Sequence, residues 1–176
     1  EYVAKAKPTA ILKSGRSEAG ARAAESHTGA LATSDRVMDA AIKRAGAVRV
    51  NDVEELLDAG AIFATKKRLA GNRIAVITTS GGSGILAADA IEKYGLKLAQ
   101  LSKKTRDELD QIIPAYGSSA NPVDLTAAVM ADKELFKKAV KVLSQDPGID
   151  AIVAAFCVLV GDDVEMIANT LKSINL

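Results

Sequence analysis

Two short stretches of the sequence hold residues that could do chemistry on a phosphate group. The first contains the only histidine of the chain, His27, between small residues at Ser26, Thr28 and Gly29. With an ordinary pKa of about 6.5, an imidazole is mostly neutral at pH 7, so a ring nitrogen keeps a lone pair that can attack phosphorus. The alternative is a surface histidine bonded to a nearby carbonyl group. Three carboxylates are candidates to orient the ring: Glu25, Asp35 and Asp89.

The second stretch is Ser80-Gly81-Gly82-Ser83-Gly84, between an apolar run and a helical pattern. Glycines at a strand-to-helix turn let a ligand approach the backbone, and a helix N-terminus offers unpaired N–H groups and the positive end of a dipole. We therefore expect these five residues to bind an anion, most naturally phosphate. They have neither the Lys-Ser/Thr ending of a P-loop nor dinucleotide-binding spacing. The alternative is a turn that serves tight packing only.

A third stretch, Asn121-Pro122-Val123-Asp124-Leu125, predicts a short extended segment. Pro122 fixes its own φ and restricts Asn121 to extended backbone. This would place Asp124 near the C-terminal edge of a sheet, where α/β proteins bind ligands. Asp124 could orient a loop or a substrate, or it could cap the following backbone as an Asx turn.

Apolar periodicity predicts the elements that must position these residues. Apolar runs predict strands at residues 8–13, 47–50, 73–79, 96–101, 121–125 and 151–158. Helical spacing predicts helices at residues 35–45, 53–64, 84–94, 103–113, 132–144 and from 163 onwards. Residues 14–33, rich in Ala, Gly and Ser, are expected to form a loop around His27. Strands that alternate with helices indicate βαβ units and a parallel sheet, so the predicted fold class is α/β.

Composition excludes several classes of function. The 176 residues carry 23 basic and 22 acidic side chains, and this balance gives no electrostatic footprint for nucleic acid. The longest apolar run, residues 151–160, is half of the roughly 20 residues that cross a membrane. One cysteine and one histidine make neither a disulfide nor a zinc site, so we expect no metal and a cytoplasmic location. Because the chain begins without Met, we expect a processed piece or a fragment.

In their order along the chain, these motifs resemble the nucleoside-diphosphate-forming acyl-CoA synthetases. This is the ADP-forming acetyl-CoA synthetase group, related to succinyl-CoA synthetase. The resemblance rests on Lys13-Ser14-Gly15-Arg16-Ser17, on Ser26-His27-Thr28-Gly29-Ala30-Leu31-Ala32, on residues 71–78, on the Gly81–Gly84 turn with Ala87-Ala88-Asp89-Ala90, and on residues 121–125. It covers nearly the whole chain.

The resemblance implies a reaction and a role for each motif. Such enzymes interconvert acyl-CoA, ADP and phosphate with the free acid, CoA and ATP, and carry the phosphoryl group on a histidine in a mobile loop. By this likeness His27 is phosphorylated, Ser26, Thr28 and Gly29 form its loop, and the glycine turn begins a helix that faces the phosphohistidine. Residues 1–65 then resemble the C-terminal part of the phosphohistidine-loop domain. Residues 66–72 form a linker, and residues 73–176 form a truncated, flavodoxin-like domain with a three-layer parallel sheet.

The resemblance also implies cofactors and partners that this chain does not supply. CoA, ADP/ATP and Mg²⁺ belong to the complete enzyme, which adds a CoA-binding Rossmann domain, an ATP-grasp domain or subunit, and a small-molecule acid substrate. The piece alone is expected to be inactive. The alternative is a non-catalytic ligand-sensing module, for example fused to a protein acetyltransferase, in which His27 binds phosphate or CoA without being phosphorylated. An FMN-binding flavodoxin is disfavoured, because the chain has no Trp and only three Tyr and three Phe.

Overall fold

A computed structural model describes residues 2–29, 34–157 and 161–174. The predicted α/β class is confirmed, because helices alternate with strands and every strand pair between the named strands is parallel. The chain divides into two compact units, Glu1–Arg68 and Leu69–Leu176.

The first unit is built on a two-stranded parallel sheet. Its elements in chain order are α1 (Tyr2–Ala6), β1 (Ala10–Leu12), α2 (Glu18–Thr28), α3 (Asp35–Ala45), β2 (Val48–Val50) and α4 (Val53–Ala64). The two helices predicted in this unit, at residues 35–45 and 53–64, are confirmed as α3 and α4, and both have the expected capping residues. Gly46 closes α3 in the left-handed region with φ of 74°, and the Asp52 side chain accepts a hydrogen bond from Glu55 N at the start of α4.

The loop predicted for residues 14–33 is wrong for most of its length, because α2 occupies Glu18–Thr28. Ser17 caps the helix N-terminus, and its hydroxyl accepts a hydrogen bond from Gly20 N at 3.1 Å. Alanines favour helix between the caps, and Gly29 ends the helix with φ of 65°. The remaining loop residues 30–33 lie outside the described residues.

The second unit has one central strand that pairs with three others. Its elements are β3 (Arg73–Thr78), α5 (Gly81–Lys93), β4 (Lys97–Leu98), α6 (Lys103–Asp110), β5 (Val123–Asp124), α7 (Ala128–Ala131), α8 (Lys133–Ser144), β6 (Ala151–Ala155) and α9 (Asp162–Lys172). One edge of β3 pairs with β6 over residues 74–78. Its other edge is shared by β4, at residues 73–74, and β5, at residues 77–78.

The sheet buries β3 completely after its first residue. Residues 74–78 of β3 are buried on both faces, as the continuous apolar run predicts for a central parallel strand. The largest core cluster lies mainly under α6 and α8, where Leu109, Phe136 and Leu143 are fully buried. This rigid centre positions the residues that follow β3, β5 and β6.

Candidate functional site

The carboxyl ends of three parallel strands meet at one edge of the second unit. Because β5 and β6 both run parallel to β3, the segments that follow all three strands emerge at the same side of the sheet. This edge carries Ser80–Gly84 after β3, Asp124 at the end of β5, and Cys157 shortly after β6.

The glycine stretch is the first turn of α5, not a loop that precedes it, so the predicted start of this helix at residue 84 is three residues late. Ser80 is the N-cap in extended backbone, with φ of −150° and ψ of 122°, and its side chain makes no capping bond. The first intrahelical hydrogen bond runs from Gly84 N to Ser80 O at 3.0 Å. The N–H groups of Gly81, Gly82 and Ser83 come before that bond and have no intrahelical acceptor, so they can bind an anion.

The glycines of this turn serve different purposes. A Cβ atom at Gly84 would lie 3.1 Å from Pro122 Cβ and 3.2 Å from Thr78 Cγ2, so Gly84 allows the helix to pack closely on the sheet. A Cβ at Gly82 would meet only Ser80 Oγ, at 3.8 Å. Packing therefore explains Gly84, whereas Gly82 is exposed and leaves the backbone open to a ligand.

Asn121 is a structural residue whose role the sequence analysis missed. Its side chain accepts a hydrogen bond from Val76 N at 2.8 Å and donates to Ile74 O at 2.8 Å and Ala99 O at 3.0 Å. The amide thus pairs with β3 in the gap between β4 and β5. The sequence signal that was available for this position was the Asn121-Pro122 pair. Pro122 directly follows Asn121 and packs under Gly84.

Asp124 forms the predicted Asx turn. Its Oδ1 accepts a hydrogen bond from Thr126 N at 2.8 Å. Its Oδ2 lies 3.6 Å from the position that a Cβ at Gly81 would take. A carboxylate therefore lies beside the first residue of α5, where the helix dipole favours negative charge and where it would compete with a bound anion.

Cys157 also lies at this turn. From the sequence it was predicted only to form neither a disulfide nor a zinc site. The thiol is exposed, and its Sγ lies 3.1 Å from Ser83 Oγ. Hydrogen bonds from the Ser80 and Ser83 hydroxyls lower the pKa of the thiol below its ordinary value. Nothing in the sequence around Cys157 could have indicated this contact, because 74 residues separate the two partners.

His27 belongs to the first unit and lies exposed in the last turn of α2. The loop predicted from Ser26, Thr28 and Gly29 is therefore wrong in form: the first two are helical, and Gly29 is the C-cap whose N–H donates to Glu25 O at 2.8 Å. Helix geometry gives His27 an open position at a helix end, not one inside a packed core.

The three carboxylates that were candidates to orient the His27 ring have different surroundings in the structure. Glu25 is two positions from His27 on α2, and residues two apart on a helix do not face each other. Asp35 is engaged by Arg49 and Arg16. Asp89 lies on α5 in the second unit and is exposed.

The described residues contain no group of three or more His, Cys, Asp or Glu side chains that could hold a metal ion. No helix within the described ranges is both long and apolar enough to cross a membrane.

Two family descriptions match the chain, one in each unit. Residues 1–63 match the family described as "Succinyl-CoA ligase like flavodoxin domain". Residues 74–172 match the family described as "Ligase-CoA domain", which alone covers more than half of the chain. His27 falls inside the first matched range, and the Ser80–Gly84 turn falls inside the second.

Curated and solved relatives agree with these families. The chain is 44% identical over 157 residues to the acetate–CoA ligase [ADP-forming] II subunit alpha of Pyrococcus furiosus, covering 89% of this chain and 34% of the relative. It is 37% identical over 148 residues to the 4-hydroxybutyrate–CoA ligase [ADP-forming] of Nitrosopumilus maritimus, covering 84% of this chain and 21% of that protein.

The fold matches a solved structure described as the Ca. Korarchaeum cryptofilum dinucleotide forming acetyl-coenzyme A synthetase 1 in complex with phosphate and ADP. The TM-score is 0.82 at 29% identity, over 97% of this chain and 37% of that one. The chain therefore spans about a third or less of the length of these relatives.

Proposed function

This chain belongs to the ADP-forming acyl-CoA ligases related to succinyl-CoA ligase, and from that premise we propose that it supplies the phosphoryl carrier and a phosphate-binding turn to such an enzyme. The reaction converts acyl-CoA, ADP and phosphate into free acid, CoA and ATP. His27 carries the phosphoryl group between the two half-reactions. The turn at Ser80–Gly84 binds phosphate.

The observation that carries the proposal is the first turn of α5. Three consecutive N–H groups without intrahelical acceptors, at Gly81, Gly82 and Ser83, lie at the carboxyl edge of a parallel sheet. No capping side chain from Ser80 covers them. A phosphate oxygen is the acceptor that such a site fits best, because its charge is complementary to the positive end of the helix dipole.

His27 acts as the nucleophile in the acyl-phosphate step. A ring nitrogen attacks phosphorus, the bond between phosphorus and the acyl oxygen breaks, and the carboxylate leaves with the electron pair. A terminal phosphate oxygen of ADP then attacks the same phosphorus, the bond between phosphorus and the ring nitrogen breaks, and the electron pair returns to the imidazole, which produces ATP. Backbone N–H groups at the start of α5 stabilise charge on the equatorial phosphoryl oxygens.

The rest of the machinery belongs to the longer protein. We propose that CoA is held by a Rossmann domain, and that ADP, ATP and Mg²⁺ are held by an ATP-grasp domain or subunit. The acid is a small carboxylate, because the relatives are named for acetate and for 4-hydroxybutyrate.

Intact-protein mass spectrometry of the parent enzyme tests the proposal. After the enzyme is mixed with ATP, or with acyl-CoA and phosphate, we expect an acid-labile adduct of one phosphoryl group. The adduct is absent from His27→Ala and present in a control, Asn169→Ala, at an exposed site on α9. A parent protein that never takes up the phosphoryl group under turnover conditions would instead place this chain among non-catalytic sensing modules.

A further inference from the structure

A cluster of four charged side chains lies at the base of the segment that carries His27. The cluster consists of Arg16, Asp35, Asp39 and Arg49. Arg16 immediately precedes Ser17, the N-cap of α2, and Asp35 is the first residue of α3. Arg16 Nε lies 3.5 Å from Asp35 Oδ2. The N-terminal end of α2, which carries His27, and the N-terminal end of α3 therefore meet at one ion pair.

Arg49 on β2 fixes this ion pair to the sheet. Its side chain is only 9% exposed, and its guanidinium contacts the Asp35 carboxylate, Asp35 O at 3.4 Å and Asp39 Oδ1 at 3.4 Å. The hydrogen bond from Arg49 lowers the pKa of Asp35, which favours the charged form of the carboxylate. Arg16 is tied to the same strand end, because its Nη1 donates to Asn51 Oδ1 at 2.7 Å.

If Arg49 served only to stabilise the first unit, a buried arginine would be an unfavourable residue at this position. Nε of Arg49 is buried and has no hydrogen-bond partner among the described residues. Burying a guanidinium costs solvation free energy, and an apolar side chain of similar size usually stabilises a fold at least as well. What an apolar side chain cannot do is fix two carboxylates of α3 in a defined direction.

We propose that Arg16 and Arg49 are positioning residues that clamp the N-terminal ends of α2 and α3 to the end of β2, and so fix the base of the helix that carries His27. The clamp rests on the proposed function, because a fixed base matters only for a side chain that must reach a reacting phosphorus atom. Arg16, Asp35 and Arg49 touch neither substrate nor the reacting atoms in this proposal. Their effect is on where the imidazole can go.

The test compares variants of the parent enzyme that contains this chain. Arg16→Met is the main variant, because Arg16 is half-exposed and its loss leaves the Arg49 pairs in place. Asp35→Asn and Arg49→Met weaken the clamp from the sheet side. Lys43→Met is the matched control, because Lys43 is 75% exposed on the same helix and pairs with Asp39, so that its loss leaves the contacts of Asp35 with Arg16 and Arg49 in place.

Two readouts separate positioning from stability. We expect Arg16→Met to slow phosphorylation of His27 from labelled ATP by about 10- to 100-fold, as a displaced reacting group would. Its melting temperature should change by less than about 3 °C, and Arg16→Lys should recover part of the rate. Lys43→Met should keep the wild-type rate. Wild-type rates in Arg16→Met, or losses that follow the melting temperature in every variant, would overturn the clamp.

Hydrogen–deuterium exchange makes the failure of the clamp distinguishable from the failure of the proposed function. Backbone amides of α2 and the first turn of α3 should exchange faster in Arg16→Met than in wild type or Lys43→Met. If the wild-type enzyme takes up no label at His27, the proposed function fails. The exchange result then tests the clamp independently of His27 phosphorylation, and unchanged exchange in α2 would overturn the clamp.

Discussion

His27 and the first turn of α5 stand at helix ends of opposite charge. His27 lies in the last turn of α2, near the negative end of the helix dipole, whereas Gly81 and Gly82 lie at the positive end of α5. A phosphoryl group on His27 would place negative charge at the negative end of the α2 dipole, where it is disfavoured. The same charge is favoured beside the N–H groups of α5, so phosphorylation favours departure of the side chain from its own helix end.

Substitution of His27 by charged residues tests this electrostatic argument without any substrate. We expect His27→Asp to reduce the free energy of unfolding by about 0.5 kcal/mol relative to His27→Asn, since an anion opposes the dipole in the last turn. His27→Lys should raise it by a similar amount. Urea unfolding at low ionic strength measures the differences, and equal stabilities of all three variants would contradict the argument.

Gly84 and Gly82 give opposite expectations for the same substitution. Gly84→Ala should lower the free energy of unfolding by about 1–3 kcal/mol, because its Cβ would press on Pro122 and Thr78 at 3.1 and 3.2 Å. Gly82→Ala meets no close neighbour and should gain up to about 1 kcal/mol from helix propensity. Denaturant unfolding of the two variants checks this; a stability loss in Gly82→Ala as large as in Gly84→Ala would contradict it.

At the scale of elements, Asn121 holds β3 and β4 together where the backbone ladder has a gap. Asn121→Asp keeps the acceptor for Val76 N but loses both donors, to Ile74 O and Ala99 O. A carboxylate would also face two carbonyl oxygens, so we expect a loss of about 2–4 kcal/mol. The exposed Asn169→Asp on α9 is the control, and it should change the free energy of unfolding by less than about 0.5 kcal/mol. Comparable losses in both variants would show that the side chain of Asn121 does not bridge the strands.

The ion pair at the start of β3 predicts a defined dependence on pH. Asp150 accepts hydrogen bonds from Arg73 Nε at 2.9 Å, Nη2 at 2.7 Å and N at 2.8 Å, which lower its pKa from 3.8 to about 2. Because the folded-state pKa is the lower one, Asp150 stabilises the fold above about pH 4 and loses this contribution between about pH 4 and 2.

Asp150→Asn tests this pH dependence. The stability difference between wild type and Asp150→Asn should be constant above about pH 5 and should shrink between about pH 4 and 2. Asp107→Asn, at an exposed helix pair, is the control. A difference that stays constant down to pH 2 would contradict the role given to Asp150.

Local sequence signals predict most helix positions. They do not predict contacts between residues that lie far apart in the sequence. Gly46 is a residue type that ends helices, and Asp52 is one whose side chain caps a helix start. The end of α3 and the start of α4 could therefore be located from sequence. The start of α5 at Gly81 was missed because glycine has a low helix propensity. The helical state of His27 was missed although alanines favour helix, because Gly, Ser and Thr lie among them. Cys157 and Asn121 act through partners 74 and 45 residues away, which no periodicity reports.

At the scale of the whole molecule, the proposed function gives each of the two units one part of the chemistry. In that proposal His27 of the unit Glu1–Arg68 is the nucleophile, and the start of α5 in the unit Leu69–Leu176 binds the anion. The chain spans 34% of the acetate–CoA ligase subunit that it resembles at 44% identity. We therefore expect the chain alone to form no acyl-CoA, and the parent enzyme to do so.

The most direct test of the central claim is a chase of labelled phosphoenzyme in the parent enzyme. The enzyme is phosphorylated with γ-labelled ATP, freed of nucleotide and mixed rapidly with unlabelled ADP. The account predicts that label leaves His27 and appears in ATP at least as fast as steady-state turnover, and that His27→Ala gives no labelled enzyme. Label that remains on His27 while ATP is made at the normal rate would contradict the claim that this histidine carries the phosphoryl group.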